Sequence, residues 1–363
     1  MTTMYLNSKT VFCKDGLQKL YLALELLFNS KKTYQSALII ADKFLASNEE
    51  FHDLVVKLKN ASVLYYDINT EPTTEYLDSL KLRVLQNSPD VSVVVGIGGG
   101  SVLDTAKALS NLLGNSGKAA DYQGWDLLPK PGIYKIGVPT LFGTGSETSR
   151  TCVLLNKTRN LKLGMNSQFS LFDELIIDSS LSLNCPENVW ALTAMDGFFH
   201  ALEILEGITR IDIADEFAST SKRLIQEGLM MPINDKALAA EKIALGSYFG
   251  GMALANGTVG LVHPFSAALS VVFGISHGLA NCMAMSGLKQ YYPSAEKFFE
   301  TVSIRYSLAN MYYKAPSLSD EILDRLIKST FVHTKPIENH LGKNWEILLT
   351  PNIASDIFKK ILN

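Results

Sequence analysis

Four polar side chains lie in apolar stretches of the sequence where an isolated charge would be unfavourable. Asp196 and His200 are four residues apart, so they share one face if their segment is helical. His263 and His277 fall within residues 243–288, a run of 46 positions without Asp, Glu, Lys or Arg. Buried carboxylates and imidazoles need partners. A divalent cation would satisfy all four at once, so the pattern predicts a metal site.

Three neutral imidazoles and one carboxylate suit either Zn²⁺ or Fe²⁺, and the ligand types do not separate the two. If all four side chains bind, a substrate must add a fifth or sixth ligand. The alternative is two unrelated histidine pairs that bond to backbone groups. The remaining histidines, His52, His333 and His340, lie in polar or charged contexts and are predicted to be surface residues.

A glycine-rich turn after the apolar run 91–95 is the second candidate for chemistry. Glycines let a backbone approach a ligand without Cβ clashes, and free N–H groups at a helix start favour a phosphate. The pattern G-x-G-x-x-S departs from the usual dinucleotide fingerprint and lacks the P-loop ending, so a plain tight turn is the alternative. The candidate phosphate-binding residues are Gly98, Gly99, Gly100, Ser101 and Asp104.

A second loop, residues 138–148, also follows a predicted strand and is rich in small hydroxyl residues. Two such loops at the carboxyl ends of neighbouring strands could hold a diphosphate between them. Asp42 ends the first strand-like segment, where a carboxylate suits a ribose diol and repels a 2′-phosphate. This favours NAD over NADP, and an ordinary surface aspartate is the alternative.

Strand-like and helical segments alternate in the first half, which is typical of a parallel sheet with helices on both faces. The predicted strands are 36–41, 62–66, 91–96, 134–138 and 174–178, and the predicted helices are 48–59, 73–85 and 103–113. Later segments are helical only, over 190–205, 213–231, 236–254, 267–273, 279–288 and 294–311. The sequence therefore predicts an α/β domain over residues 1–184 and an all-α domain over 185–363.

Composition excludes several classes of protein. The chain has 33 Lys and Arg against 36 Asp and Glu, so no basic excess favours nucleic-acid binding. Its four cysteines are widely spaced, which argues against a disulfide framework and favours the cytoplasm. Polar residues interrupt the uncharged run 243–288, so we expect a buried helical core and no membrane span. We also expect no signal peptide.

Taken together, these motifs resemble the iron-containing alcohol dehydrogenase family. The resemblance extends over essentially the whole chain, with the motifs in the same order and at the same spacing. Four segments carry it: residues 98–107, 139–147, 195–203, and 260–263 together with 276–281.

The resemblance implies a Rossmann-like N-terminal domain, a helical C-terminal domain as in dehydroquinate synthase, and an active site in the cleft between them. It also implies NAD(P), one divalent metal, a small alcohol or sugar substrate and a homodimer. The residues matching metal ligands are Asp196, His200, His263 and His277. Those matching the nicotinamide and ribose contacts are Thr140, Thr144, Ser146 and Lys162, while Asp42 matches the position associated with NAD preference.

The chain departs from the family pattern near the expected reaction centre. Many members carry a histidine, thought to help proton transfer, four residues after the one matching His263, and here that residue is Ala267. The proton must then leave through water, a ribose hydroxyl or another side chain. Val102 replaces a usual proline, and Leu141 and Phe142 replace usual small residues.

Four further segments resemble the subgroup that contains 3-deoxy-manno-octulosonate 8-oxidase of lipopolysaccharide biosynthesis. They are residues 121–126, 131–139, 162–167 and 280–284. That activity converts the terminal alcohol of an acidic sugar to an aldehyde, so it needs cationic contacts. Arg150 and Lys162 are the candidates, with a surface arginine as the alternative for Arg150. Other interpretations are a dehydrogenase of small alcohols, diols or glycerol, a dehydroquinate synthase relative, and a nucleotide-binding scaffold without catalysis.

Overall fold

The computed structural model describes residues 3–7, 9–30, 34–67, 71–315 and 317–363, apart from the side chain of Ile233. The chain forms two compact units. The first comprises residues 1–142, 146–159 and 163–183, and the second comprises 143–145, 160–162 and 184–363. The main division follows residue 183, and the sequence places its boundary after residue 184. The two short segments that join the second unit have no counterpart in that prediction.

The first unit is built on a six-stranded sheet in the order β1-β9-β6-β4-β2-β3, with parallel pairing throughout. A smaller sheet has the order β5-β8-β7. The predicted parallel architecture is confirmed. The strands are β1 (Lys9–Phe12), β2 (Ser36–Asp42), β3 (Ala61–Tyr66), β4 (Val91–Gly98), β5 (Gly124–Trp125), β6 (Tyr134–Pro139), β7 (Thr151–Asn156), β8 (Leu161–Asn166) and β9 (Glu174–Ile177).

The described part of the first unit contains four α-helices. They are α1 (Gly16–Ser30), α2 (Glu49–Lys57), α3 (Thr74–Asn87) and α4 (Gly100–Gly114). Leu20 of α1 and Phe51 of α2 share one buried core with Ile39 of β2. Helix α4 packs against β4 and β6 and contacts α3. Because helices cover the central strands, these strands are continuous apolar runs.

The second unit is helical, and no strand follows Ile177 among the described residues. Helices α5, α6 and α7 pack against one another, and α9 contacts both α5 and α8. The helices are α5 (Glu187–Glu206), α6 (Asp212–Met230), α7 (Lys236–Asn256), α8 (Val262–Phe273), α9 (His277–Leu288), α10 (Glu296–Arg305), α11 (Asp320–Phe331), α12 (Thr334–Leu341), α13 (Trp345–Leu348) and α14 (Pro351–Leu362).

Helix α8 begins five residues before the predicted start at residue 267. Pro264 lies in its first turn, where proline is tolerated because its missing N–H would have no partner inside the helix. His263 is therefore a helical residue. The prediction over 294–311 is also corrected, because α10 ends at Arg305 and Ser307 adopts a left-handed conformation with φ 53°.

The uncharged run 243–288 forms most of α7 and all of α8 and α9, which are largely buried. Its many small residues allow close helix contacts. A Cβ on Gly246, for example, would lie 2.7 Å from a side-chain carbon of Ile225 in α6. Of the helices within the described residues, none combines the length and apolarity needed to cross a membrane.

Candidate metal centre

Helix α5 supplies the first two polar groups of the centre. Asp196 and His200 lie on its same face, and both are almost fully buried, with 1% and 4% of their surface exposed. His200 Nε2 is 3.6 Å from Asp196 Oδ1. Since α5 is buried along most of its length, these two groups have no access to bulk water as partners.

Helices α8 and α9 bring the other two groups to the same carboxylate oxygen. His263 Nε2 lies 3.4 Å and His277 Nε2 lies 3.5 Å from Asp196 Oδ1. One ligand atom from each of the four residues lies within 4.8 Å of the others. The rings of His200 and His263 stack, with centroids 4.4 Å apart. Three imidazole nitrogens thus surround one oxygen of Asp196.

Two glycines explain how the chain brings α9 to this position. Gly274 ends α8 in the left-handed region at φ 69°, and the next helix begins three residues later at His277. A Cβ on Gly278 would lie 2.9 Å from the carbonyl oxygen of Leu192, so the close approach of α9 to α5 requires glycine. His277, at the first position of α9, thereby reaches the cluster.

Several buried polar atoms of the cluster lack hydrogen-bond partners. Asp196 Oδ2 and His263 Nε2 are among them. Buried polar atoms are nearly always paired in native proteins, so such atoms indicate a missing ion or ligand. Three nitrogen donors and one carboxylate form a donor set that suits a divalent transition metal. The residues present therefore fit a metal of this class.

Electrostatics at the cluster favour a cation. Burial alone would raise the pKa of Asp196, but His200, His277 and His263 hold it well below its usual range. Burial lowers the pKa of His200 to about 4 despite the nearby Asp196 carboxylate. Burial would likewise lower the pKa of His263, but the Glu203 and Asp196 carboxylates raise it to about 9. Ionised carboxylates in so enclosed a place need a positive partner.

Two residues that the sequence reasoning missed support the cluster. Asn281 Nδ2 donates to Asp196 Oδ1 at 2.6 Å, and Glu203 contacts Nδ1 of His263. Helical spacing could have indicated both. Glu203 follows Asp196 by seven positions on α5, and Asn281 follows His277 by four on α9, so each shares a helix face with a candidate ligand.

Lys162 also lies beside the cluster. It is 4% exposed, and its Nζ is 3.2 Å from His277 Nδ1 and 3.3 Å from Ser270 Oγ. The sequence assigned this lysine to the nicotinamide or to an acidic substrate, and both roles remain predictions. Its contact with a candidate metal ligand places a positive charge next to the centre.

In the first unit, the two glycine-rich loops leave neighbouring strands, as predicted. Gly98 of β4 is paired with Pro139 of β6, and the N–H of Thr140 donates to the Gly98 carbonyl at 3.0 Å. A Cβ on Gly98 would lie 2.6 Å from Val102, so the turn into α4 requires glycine there. Gly99 caps α4 without a side-chain hydrogen bond.

Asp104 and Ser146, both predicted to bind the cofactor, bond to one another. Ser146 Oγ donates to Asp104 Oδ1 at 2.5 Å, and the N–H of Val153 donates to Oδ2 at 2.9 Å. The fully buried Lys107 Nζ lies 3.1 Å from Asp104 Oδ1 and donates to the carbonyls of Ser146 and Thr151. We call Asp104, Lys107 and Ser146 the buried brace. It ties α4 to the second glycine loop.

The tip of that loop, residues 143–145, belongs to the second unit. The N–H groups of Gly143 and Gly145 donate to Ser247 Oγ at 2.8 and 3.3 Å. Gly143 has φ 137°, and a Cβ there would lie 1.8 Å from the carbonyl oxygen of Thr193. The half-buried Thr144 stands between these two anchored glycines.

The other predicted binding residues lie in the first unit, and two of them already have side-chain contacts there. Asp42 is half-buried, and its Oδ1 accepts from the N–H of Phe44 at 3.3 Å, which caps the short turn Lys43–Ser47. Arg150 pairs with Asp126 at 2.9 Å and stacks over the rings of Tyr5 and Trp125. Ser101, at the second position of α4, and Gly100 are half-buried.

The three remaining histidines were all predicted to be at the surface, and only His52 is exposed. His333 and His340 are half-buried, so that prediction is wrong for them. The ring of His340 packs 4.6 Å from that of the buried Tyr292. Burial lowers the pKa of both, that of His333 to about 4. Tertiary packing of the C-terminal helices covers segments whose sequence is polar.

Similar proteins are known by sequence. The sulfoacetaldehyde reductase of Bilophila wadsworthia is 33% identical over 239 residues, which is 65% of this chain and 61% of that protein. The NAD-dependent methanol dehydrogenase of Bacillus methanolicus is 29% identical over 257 residues, covering 69% of this chain and 67% of that protein. The match to the reductase therefore spans less than two thirds of its length.

Solved structures show the same fold. An alcohol dehydrogenase from Oenococcus oeni has a TM-score of 0.84 at 20% identity, over 99% of this chain and 100% of that one. The sulfoacetaldehyde reductase from Bifidobacterium kashiwanohense, solved in complex with NAD⁺, has a TM-score of 0.81 at 19% identity, over 100% and 99%. Residues 10–179 match the iron-containing alcohol dehydrogenase family, and residues 190–316 match the C-terminal part of the Fe-containing alcohol dehydrogenase family. The chain belongs to the iron-containing alcohol dehydrogenase family.

Proposed function

We propose that this protein interconverts a primary alcohol and its aldehyde, with NAD as the hydride carrier and one divalent cation as the Lewis acid. Asp196, His200, His263 and His277 would hold the cation, as Fe²⁺ or Zn²⁺. One observation carries the proposal: three imidazole nitrogens lie 3.4–3.6 Å from a single buried carboxylate oxygen. Family membership supplies the reaction class.

The chemistry divides between bound groups and the chain's own residues. When bound, the cation lowers the pKa of the substrate hydroxyl and the nicotinamide accepts the hydride. The protein contributes by excluding water from Asp196 and His200, whose side chains are 1% and 5% exposed. The His277 side chain is 26% exposed. We infer that a substrate reaches the cluster from the His277 side.

The chain must also accept the hydroxyl proton. Ala267 is 6% exposed and lies one turn after His263 on α8, and its methyl group carries no proton. Release therefore requires water, a ribose hydroxyl or another side chain, and the more open His277 side gives water access. Asn281 holds Asp196 Oδ1 by donating to it, which keeps this carboxylate oriented toward the imidazoles.

For the cofactor, we propose NAD in preference to NADP. Asp42 lies at the carboxyl end of β2, where a carboxylate suits a ribose diol. Gly98, Gly99, Gly100 and Ser101 would face the diphosphate, because N–H groups at the start of α4 favour an anion. Thr140, Thr144, Ser146 and Lys162 are proposed contacts of the nicotinamide and its ribose. Two relatives support NAD, since one is NAD-dependent and another was solved with NAD⁺.

For the substrate, we propose the terminal alcohol of an acidic sugar, 3-deoxy-manno-octulosonate, oxidised at C8. Segment resemblance supports it, as does the Lys162 ammonium beside His277, which could attract a carboxylate. Arg150 supports it less, because its guanidinium is already paired with Asp126. The relatives named above act on sulfoacetaldehyde and methanol. A small alcohol, diol or glycerol is therefore the alternative, and a homodimer in the cytoplasm remains a prediction.

A substrate screen tests this function. The protein is loaded anaerobically with Fe²⁺ or Zn²⁺, and NADH absorbance is followed with octulosonate, glycerol, short diols and methanol, and in reverse with sulfoacetaldehyde. We expect metal-dependent turnover, with the highest kcat/KM for octulosonate. Full activity of a metal-free His277→Ala variant would refute the metal-dependent reaction. A protein that binds neither Zn²⁺ nor NAD⁺ stoichiometrically would instead be a scaffold without catalysis.

A further inference from the structure

The three candidate histidine ligands differ at Nδ1, the ring nitrogen that does not face Asp196. His263 Nδ1 contacts the carboxylate oxygen Oε2 of Glu203. His277 Nδ1 lies 3.2 Å from the Lys162 ammonium nitrogen. His200 Nδ1 is buried without a hydrogen-bond partner. The contacts at Nδ1 therefore differ, and that of His263 is with a carboxylate.

Glu203 is fully buried, and its other oxygen is held by two donors. Its Oε1 accepts from the N–H of Val262 at 2.5 Å and from the hydroxyl of Tyr292 at 3.1 Å. Tyr292 is itself fully buried and accepts from the N–H of Leu261 at 2.8 Å. These bonds fix the rotation of the carboxylate, so that Oε2 is directed at His263.

The segment before α8 contains a glycine that leaves room for Glu203 and Tyr292. A Cβ on Gly260 would lie 2.6 Å from the Tyr292 hydroxyl oxygen and 3.3 Å from Glu203 Oε1. Any larger residue would displace one of the two groups. Gly260 thus lets the chain pass close to Glu203, which in turn accepts from Val262 one residue before His263.

We propose that Glu203 is a positioning residue for the metal centre, an inference that rests on the function proposed above. An ionised carboxylate only accepts hydrogen bonds, so Nδ1 of His263 must donate. In a neutral imidazole the proton then lies on Nδ1, and the lone pair of Nε2 faces the cation. The Lys162 ammonium only donates, so it cannot hold a proton on Nδ1 of His277 in this way. His263 is the ligand that is oriented in advance.

The substitution Glu203→Gln tests this proposal without changing side-chain size. Its single carbonyl oxygen best replaces Oε1, where it still accepts from Val262 and Tyr292. The amide NH₂ then faces His263 Nδ1, which must accept, and the proton moves to Nε2. We expect the Zn²⁺ affinity, measured by competition with a chelator, to fall about 10- to 100-fold.

A spectroscopic readout separates positioning from a purely structural role. In Zn²⁺-loaded protein with ¹⁵N-labelled histidine, the Nδ1 proton of His263 should give a downfield NMR signal that Glu203→Gln loses. The matched control is Glu174→Gln, since Glu174 is also buried (4% exposed) and forms an ion pair with Lys9 in the first unit. It should leave both the Zn²⁺ affinity and this signal unchanged.

The outcomes distinguish this proposal from the proposed function. Failure of the wild type to bind Zn²⁺ would remove the metal-dependent function and this inference together. Equal Zn²⁺ affinity in wild type and Glu203→Gln, with the Nδ1 signal retained, would overturn the positioning role alone. If Glu203→Gln does not fold, Glu203→Asp decides, since the shorter side chain keeps the negative charge but withdraws the carboxylate from His263 Nδ1. A Zn²⁺ affinity and Nδ1 signal identical to wild type would then overturn the proposal.

Discussion

Two buried clusters of charged side chains, one in each unit, show opposite hydrogen-bonding states. In the buried brace of the first unit, both carboxylate oxygens of Asp104 accept from protein donors, and Lys107 bonds to carbonyls as well. In the candidate metal centre of the second unit, Asp196 Oδ2 and His263 Nε2 have no hydrogen-bond partner. Buried charges that satisfy one another fix local structure, whereas unpartnered atoms within a cluster of metal-binding side chains indicate a ligand site.

The largest expected effect comes from removing a ligand of the metal centre. His200→Ala should abolish stoichiometric metal binding and lower kcat by about 10³-fold, because Lewis-acid catalysis contributes several kcal/mol. His200 Nδ1 has no hydrogen bond to lose, so the fold should persist. Elemental analysis, NADH formation and circular dichroism check these points together. A folded, metal-free His200→Ala protein with wild-type kcat would contradict the assignment.

The second effect concerns the buried brace. Asp104→Ala leaves the fully buried Lys107 ammonium without its carboxylate, which should cost about 3–5 kcal/mol in the free energy of unfolding. Urea denaturation measures this loss of unfolding free energy. The loss should be smaller in Asp104→Asn, because the amide oxygen still accepts a hydrogen bond. Stoichiometric metal binding should be retained. If Asp104→Ala instead kept its stability but lost NAD⁺ affinity, the cofactor role predicted from the sequence would be correct.

The cluster of Asp196, His200, His263 and His277 could be predicted from the sequence to a large extent. The spacing of Asp196 and His200 and the absence of charge around His263 and His277 are local signals, and they indicated the same partner. Glu203 and Asn281 were missed because their roles depend on which helices meet. An acidic or amide side chain on a helix carries no mark of its tertiary partner.

The strands were predicted where they are continuous apolar runs, and they were missed where apolar and polar residues are mixed. The central strands β2, β4 and β6 are apolar runs and were recognised. Strands β7 and β8 have alternating or irregular burial and polar ends, and the sequence analysis predicts no element there. The hydrogen bond between Asp104 and Ser146 was not predicted, because the two residues are 42 positions apart and only the three-dimensional structure brings them together.

A third prediction compares two glycines with positive φ. Gly143→Ala combines a left-handed conformation with a Cβ placed 1.8 Å from a carbonyl oxygen, so it should cost about 3 kcal/mol or more. Gly274→Ala at φ 69° has no atom within 4 Å of the new Cβ, so only the backbone strain remains, about 1 kcal/mol. Urea denaturation compares the free energies of unfolding of the two variants. Equal losses would show that the anchoring of residues 143–145 contributes little to stability.

The smallest effect is expected at Arg150. This residue tests whether a charged side chain is compensated by protein groups or is available to bind a ligand. Its guanidinium lies 4.3 Å from the ring centroid of Tyr5 and pairs with Asp126 at 2.9 Å, so its charge is already compensated as in the buried brace. Arg150→Ala should lower the free energy of unfolding by about 1 kcal/mol and leave the KM for octulosonate unchanged. Asp126→Ala is the matched control, because it should weaken the same contact from the other side. A tenfold rise in KM for acidic substrates alone, with the unfolding midpoint unchanged, would instead show that Arg150 binds the substrate carboxylate and that its partners do not neutralise it.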